Sequence, residues 1–487
     1  MGRKSNEKKR RKEADHSSIA SHKRMGKTLI PPFQQIEGLN KVSWSNDRLP
    51  EYVWLALIVS LDNRDESLEK IRRVSKFFRD LREEHRPMDL SLTSLGNLEE
   101  GILERFLGFL CNELYAIEFL LPLSLFDNIP GKEVWHKFLK IEDKEKEWEK
   151  LYIAVAKCLD HQSQEATDCR WARVYYSLTV NAKIGMPENM VGEIIYYPNE
   201  GDMRSVRPTI RTIEMMLNVM PDGQIVGSNW SNDFWEQGIK DTPCWSLDID
   251  IKNDNQVKLD VSSYEEVMYK LKEHFHLSKR TSGIDSKLDA IFGLSMYCLE
   301  VLGELLQNGN NTSILSRLGL RTITECYITL SYLCIKDDEE LWQMYRSYGS
   351  GQAKLAFLKL DELEIKPNYI DTETLKALAG EDQWEEFVEI NLGHWESTNL
   401  RKMSETAKVK EEYNAYYDWT SGFAHGQWAA VRNTVFDTCG NPMHRLHRIP
   451  KEKKQNFNDV TEDAKRLCNN VLDIINKSYP NFSLRIK

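Results

Sequence analysis

Residues 313–335 constrain the fold more than any other part of this chain. They are helical in pattern and apolar on nearly every side. A helix of that kind cannot face water, so other helices must surround it. The preceding stretch, residues 284–306, is suited to that task, with Leu288, Ile291, Phe292, Leu299, Leu302 and Leu306 at helical spacing. The same 3.6-residue period recurs over 51–61, 67–85, 96–121, 132–161, 168–183 and 208–219. It returns over 337–360, 372–379, 383–391, 401–431 and 460–477. Period-two alternation occurs once. Leu247, Ile249 and Ile251 alternate with polar residues, and after Asn253-Asp254-Asn255 the pattern resumes at Val257, Leu259 and Val261. The expected fold class is therefore all-α in the main: multi-helix bundles with one small β-hairpin near 247–261.

Breaks in the pattern suggest five regions. Residues 1–28 carry ten basic residues against three acidic ones and almost nothing apolar, which reads as a disordered basic tail. An N-terminal helical region follows over 29–130, ending at Pro130-Gly131. A middle helical region with the hairpin spans 131–280, a helical bundle spans 281–450, and a C-terminal helix lies within 451–487. The tail has two readings, electrostatic contact with nucleic acid and simple solvation.

Across all 487 residues, 65 basic residues face 75 acidic ones, a net charge of −10. The chain as a whole is not a polyanion binder, which leaves a local basic patch open. Nine cysteines, an odd number without a CxxC pair, fit a reducing cytoplasm better than a disulfide framework. The longest apolar run, residues 106–126, is interrupted by Asn112, Glu113, Glu118 and Pro122. Each carboxylate would cost roughly 2.5–3.5 kcal/mol at mid-membrane on insertion scales. The run therefore reads as a buried core helix, and no membrane partner is expected.

Four groups of residues carry chemistry. Arg321 and Glu325, four apart, share a face of the apolar helix over 313–335. They are either a buried ion pair that fixes helix register or an arginine held by a carboxylate to bind an anion. Tyr413, Tyr417, Ser421 and His425 form an i, i+4 stripe that Trp428 and Arg432 continue. The small residues Gly422, Ala424 and Gly426 let another helix approach. His425 is either a core histidine satisfied by Ser421 or Tyr417, or a base near neutral pH. In the loop over 439–450, Cys439, His444 and His447 are soft or borderline ligands without a fourth, so no metal is expected. Arg445, Arg448 and Lys451 beside them are an anion-binding alternative. Asp248, Asp250 and Asp260 would share a face of the hairpin and read as solvated. No GxxxxGKS/T, GxGxxG, HExxH or GxSxG occurs.

The pairing of RTITECYITLSYL (321–333) with YNAYYDWTSGFAHGQW (413–428) resembles a bacterial helical family known as a domain of unknown function. Its pattern is Arg-x-x-x-Glu on one helix and Ser-x-x-x-His on a later one, over roughly residues 283–450. Arg321, Glu325, Ser421 and His425 match it. That family is similar to HEPN-type bundles, many of which are metal-independent ribonucleases or toxins in defence and toxin–antitoxin systems. The resemblance implies transesterification without a cofactor: His425 takes the ribose 2′-OH proton and Arg321 steadies phosphate charge. Tyr417, Arg432, His444 and Arg445 would be accessory groups. Here the arginine and histidine come from different helices, whereas the usual HEPN motif carries both on one. RNA or another nucleic acid is the implied partner. The competing class is a non-catalytic helical scaffold that binds a partner protein or nucleic acid.

Overall fold

The computed structural model describes residues 22–31, 35, 42–181, 187–217, 229–246, 260–307, 310–365, 367–382, 387–453 and 455–487. Helix dominates, and the described strands form two two-stranded sheets. The chain divides into two compact units. One holds Met1–Leu247 and Thr438–Ile449; the other holds Asp248–Asp437 and Pro450–Lys487.

The first unit forms around α1 (Val53–Leu61), whose sequence VWLALIVSL is buried at every position but the last. Such a helix needs neighbours on all sides. Among them are α2 (Arg64–Arg79), α4 (Lys144–Leu159) and α5 (Gln164–Thr179). Helix α3 (Glu100–Asn112) adds Phe106, Leu107 and Leu110 to the same core. The helices on either side of Pro130-Gly131 contribute to this one core. Helix α6 (Met203–Leu217) packs on α5 with Val206, Ile210, Glu214 and Leu217 inward. Its other face carries Arg204, Arg207 and Arg211. Helix α7 (Trp230–Asp241) touches the turn at Pro442–His444. The contact needs a glycine, because a Cβ on Gly238 would lie 2.9 Å from the Met443 carbonyl oxygen.

Charge lies at the centre of this unit. Glu214 is fully buried and pairs with Arg48 and with Arg173 at 3.0 Å, while the Arg170 Nε lies 3.7 Å away. Arg173 also reaches Asp89 at 3.2 Å, and Tyr52 donates to Asp89 at 2.9 Å. Burial pushes the Glu214 carboxyl up, but Arg48, Arg173 and Arg170 outweigh it and hold it below its ordinary value.

The second unit is arranged around α10 (Ile314–Lys336), preceded by α8 (Val261–Ser278) and α9 (Ser286–Gln307). After it come α11 (Glu339–Asp361), α12 (Leu400–Thr406), α13 (Asp418–Ala424), α14 (Trp428–Val435) and α15 (Thr461–Ser478). Helices α9, α12, α13 and α15 pack on α10, as an apolar helix demands. Ile323, Ile328, Leu330 and Leu333 have no exposed area.

Several expected elements differ. The helix expected over 96–121 stops at Asn112; Tyr115 turns left-handed at φ 50°, and Ile117–Leu125 leaves at 117°. Among the described residues no single helix is long and apolar enough to cross a membrane. Part of the expected tail is ordered as a hairpin, β1 (Lys23–Met25) against β2 (Thr28–Ile30), with Gly26 left-handed at the turn. The hairpin expected near 247–261 lies outside the described residues up to 259. Asp260 instead caps α8, accepting from the Ser262 amide at 3.1 Å, and Val261 is helical. The described part of 383–391 is not an α-helix. The helix expected over 401–431 is broken at Lys408 and Gly426, both left-handed, and contains a π-helical turn at Tyr413–Tyr417.

Replacing Glu214 by alanine strands three buried arginines beside one remaining carboxylate. The expected loss is about 3–5 kcal/mol, read from the urea midpoint of circular dichroism. In the native chain this stabilisation is complete above the ordinary pKa of 4.5. It is lost as pH falls through the lowered folded-state value.

Candidate functional site

The outward face of α6 forms one wall of an open cavity of about 1120 Å3 in the first unit. Positions 204, 207 and 211 fall on one helical face by their spacing, so three arginines point the same way. Arg48 and Arg170 line the cavity from behind, with His161 and Gln162 on the rim; no carboxylate is among the lining residues. Acidic groups stay outside: Asp202 pairs with Arg204 at 3.0 Å, and Asp160 lies 3.7 Å from His161. Arg207 and Arg211 donate to the Gln162 carbonyl at 3.2 and 3.4 Å, and neither has an ion-pair partner among the described residues.

Arg170 sits deepest. It is 2% exposed, stacks on Trp44 at 4.4 Å, and makes no hydrogen bond among the described residues. Burial pulls it down to about 10, against Glu214, with Arg48 and Arg211 adding to the fall. It is still a cation at neutral pH. Burial lowers His161 as well, and Arg170, Arg211 and Arg48 lower it further against Asp160. Beside the larger effect of burial, three separate arginines thus act on His161 in the same direction. Sequence reading missed this site. The Arg204–Arg207–Arg211 stripe was a legible signal, but Arg48 and Arg170 join it only through the fold.

In the second unit, Arg321 Nε donates to Glu325 at 2.8 Å and Nη2 to the Tyr417 hydroxyl at 3.2 Å. The guanidinium also lies over the Tyr417 ring at 4.8 Å. Its Nη1 is shut off from solvent and has no hydrogen-bond partner among the described residues. The pair is only partly buried, Arg321 at 14% and Glu325 at 38% exposed. Tyr413 and Tyr417 stack at 4.8 Å, as the stripe requires. Ser421 is half-buried on α13. His425 lies one residue past the end of α13, exposed, and its ring makes no hydrogen bond among the described residues. It is therefore not a core histidine satisfied by Ser421 or Tyr417. Arg432 is exposed in the last turn of α14.

The loop after β3 (Phe436–Thr438) runs to β4 (Arg448–Pro450) and was expected to lack a fourth soft ligand. The structure supplies one, Cys244. One ligand atom from each of Cys244, Cys439, His444 and His447 lies within 4.8 Å of the others. Arg445 is exposed with its guanidinium 5.6 Å from the Trp235 ring.

Residues 291–442 match DUF5677, a family of unknown function. The match takes in Arg321, Glu325, Ser421, His425 and Cys439. It leaves out the arginine cavity, Cys244, His444 and His447. No curated protein and no solved structure matches the chain.

The partial exposure of the Arg321–Glu325 pair sets its worth. Removing one member of a fully buried pair costs about 3–5 kcal/mol, whereas exposed pairs contribute roughly 0–1. Glu325→Ala should cost about 1 kcal/mol in urea unfolding, and a loss above about 3 would show the pair to be sealed in solution.

Proposed function

We propose that the protein is an RNA-binding helical effector whose arginine cavity receives the phosphates of a strand end. One observation carries this reading. Arg170, almost wholly buried, makes no hydrogen bond among the described residues, meets Glu214 only at 3.7 Å, and lines a cavity with four other arginines. A buried cation without a hydrogen-bonding partner is costly, and a phosphate oxygen is the partner that suits a guanidinium fork. The cavity, open and about 1120 Å3, has room for a nucleotide-sized end group.

A second reading adds cleavage in the other unit. Arg321, steadied by Glu325 and Tyr417, would neutralise phosphate charge. His425, exposed and free, would take the 2′-OH proton, and Ser421 and Tyr417 would supply hydroxyls. The support is the exposure of His425 and the resemblance of these residues to a metal-independent ribonuclease pattern. The expected setting is bacterial defence or a toxin–antitoxin pair in the cytoplasm. Binding without cleavage would leave a scaffold that recruits RNA.

The test of binding is fluorescence anisotropy with a labelled single-stranded RNA across a salt series. An Arg207→Gln/Arg211→Gln variant should bind at least about tenfold more weakly. It should also lose about 0.7 from the slope of log K against log salt for each phosphate contact removed. Bound phosphate should raise the His161 pKa, because it offsets the arginines that lower it; nuclear magnetic resonance titration reads this directly. Unchanged affinity and slope would remove the cavity from the function. For cleavage, a folded His425→Ala variant should bind RNA as the wild type does and fail to cut it.

A further inference from the structure

We propose that Cys244, Cys439, His444 and His447 bind one zinc ion, as a closed structural site inside the first unit. Two thiolates and two imidazoles are a ligand set that favours tetrahedral zinc. With Zn–S near 2.3 Å and Zn–N near 2.0–2.1 Å, a tetrahedron has S···N edges of roughly 3.6 Å. The observed edges are 3.3 Å from Cys439 Sγ to His444 Nδ1, 3.6 Å from Cys244 Sγ to His444 Nδ1, and 3.3 Å from Cys244 Sγ to His447 Nε2.

The surroundings select the ligand state. The Thr242 hydroxyl has one proton, and its closest acceptor is the Gly238 carbonyl at 2.6 Å. Towards His444 Nε2, 3.0 Å away, the hydroxyl can therefore only accept, so Nε2 carries the hydrogen. In the neutral ring this leaves the Nδ1 lone pair directed at the two sulfurs. Holding the far nitrogen of a metal-bound histidine is the usual work of an outer-shell partner. Asn441 fixes the same hydroxyl at 2.9 Å and the Pro243 carbonyl at 2.8 Å. The Trp245 amide points at Cys439 Sγ at 3.3 Å, a contact suited to a thiolate.

The backbone between the histidines has the same purpose. Arg445 and Leu446 are both left-handed, at φ 46° and 56°, a conformation rare for such residues. This sharp reversal lets the His447 amide reach the His444 carbonyl at 2.9 Å and brings the two rings to 4.9 Å. Binding releases two thiol protons and leaves a neutral centre, as the burial of Cys439 and His444 requires. All four positions are filled by protein, so no site remains for a catalytic water. The ion would fasten the Thr438–Ile449 segment to residues 242–245. Cys244, the exposed ligand, marks the path of entry.

The experiment uses untagged full-length protein from zinc-supplemented cells, with metal counted by mass spectrometry. One zinc per chain is expected. Replacement by Co(II) should give the intense visible bands of tetrahedral thiolate coordination, and chelation should lower the melting temperature. Cys244→Ser and His447→Gln, each checked for helix content, should lose the metal. A wild-type chain that takes up neither zinc nor Co(II) under reducing conditions would overturn the proposal. So would a folded Cys244→Ser/His447→Gln double variant that keeps its zinc. A Cys244–Cys439 disulfide in protein purified from the reducing cytoplasm would overturn it as well. None of these readouts depends on RNA binding.

Discussion

The Glu214 carboxylate is the constraint on which the first unit depends. It has no exposed area, so its desolvation must be offset by paired charge and hydrogen bonds. Arg48, Arg170 and Arg173 converge on it from three different segments, and Asp89 takes a second contact from Arg173. Among the described residues the network joins three arginines to two carboxylates. Arg48 and Arg173 have close carboxylates. Arg170 meets Glu214 only at 3.7 Å, and it lines the cavity together with Arg48. Arg170 thus links the charged core to the cavity wall, with Trp44 stacked against its guanidinium.

The two arginine sites differ in physical terms. Arg321 is neutralised locally by Glu325 and capped by the Tyr417 hydroxyl, so it can help an anion only by sharing bonds it already has. Arg207 and Arg211 are bound to carbonyl oxygens, which compensate for hydrogen bonding but not for charge. A phosphate entering the cavity meets Arg207 and Arg211, which have no ion-pair partner among the described residues. One entering beside Arg321 meets a pair. On electrostatic grounds the surroundings of Arg207 and Arg211 are the better anion site of the two.

What the sequence made legible was set by local rules. The all-round apolar character of 313–335 required the helical surround that α10 has. The i, i+4 spacing placed Arg321 on Glu325 and Tyr413 on Tyr417. What it hid was set by distant partners. The breaks at Tyr115 and Lys408 put non-glycine residues in the left-handed region, which local propensity does not foretell. The end of α13 at Ala424 moved His425 off the stripe that an unbroken helix would have given it. Cys439, His444 and His447 looked incomplete because Cys244, the fourth member, lies far upstream in the chain. Arg204, Arg207 and Arg211 were a visible stripe, but their meaning came from Arg48 and Arg170.

A net charge of −10 does not oppose an anion site of this kind. At physiological ionic strength the screening length is about 8 Å, so carboxylates spread over a chain of this size contribute little inside a cavity of their own. What matters is the charge within that radius: Glu214 faces Arg48 and Arg170, Asp202 faces Arg204 and Asp160 faces His161, so the excess rests on Arg207 and Arg211. The cavity walls also displace water and its screening, which strengthens the field at Arg170. Distant acidity therefore sets the sign of the field over the molecule as a whole without setting it beside Arg207 and Arg211.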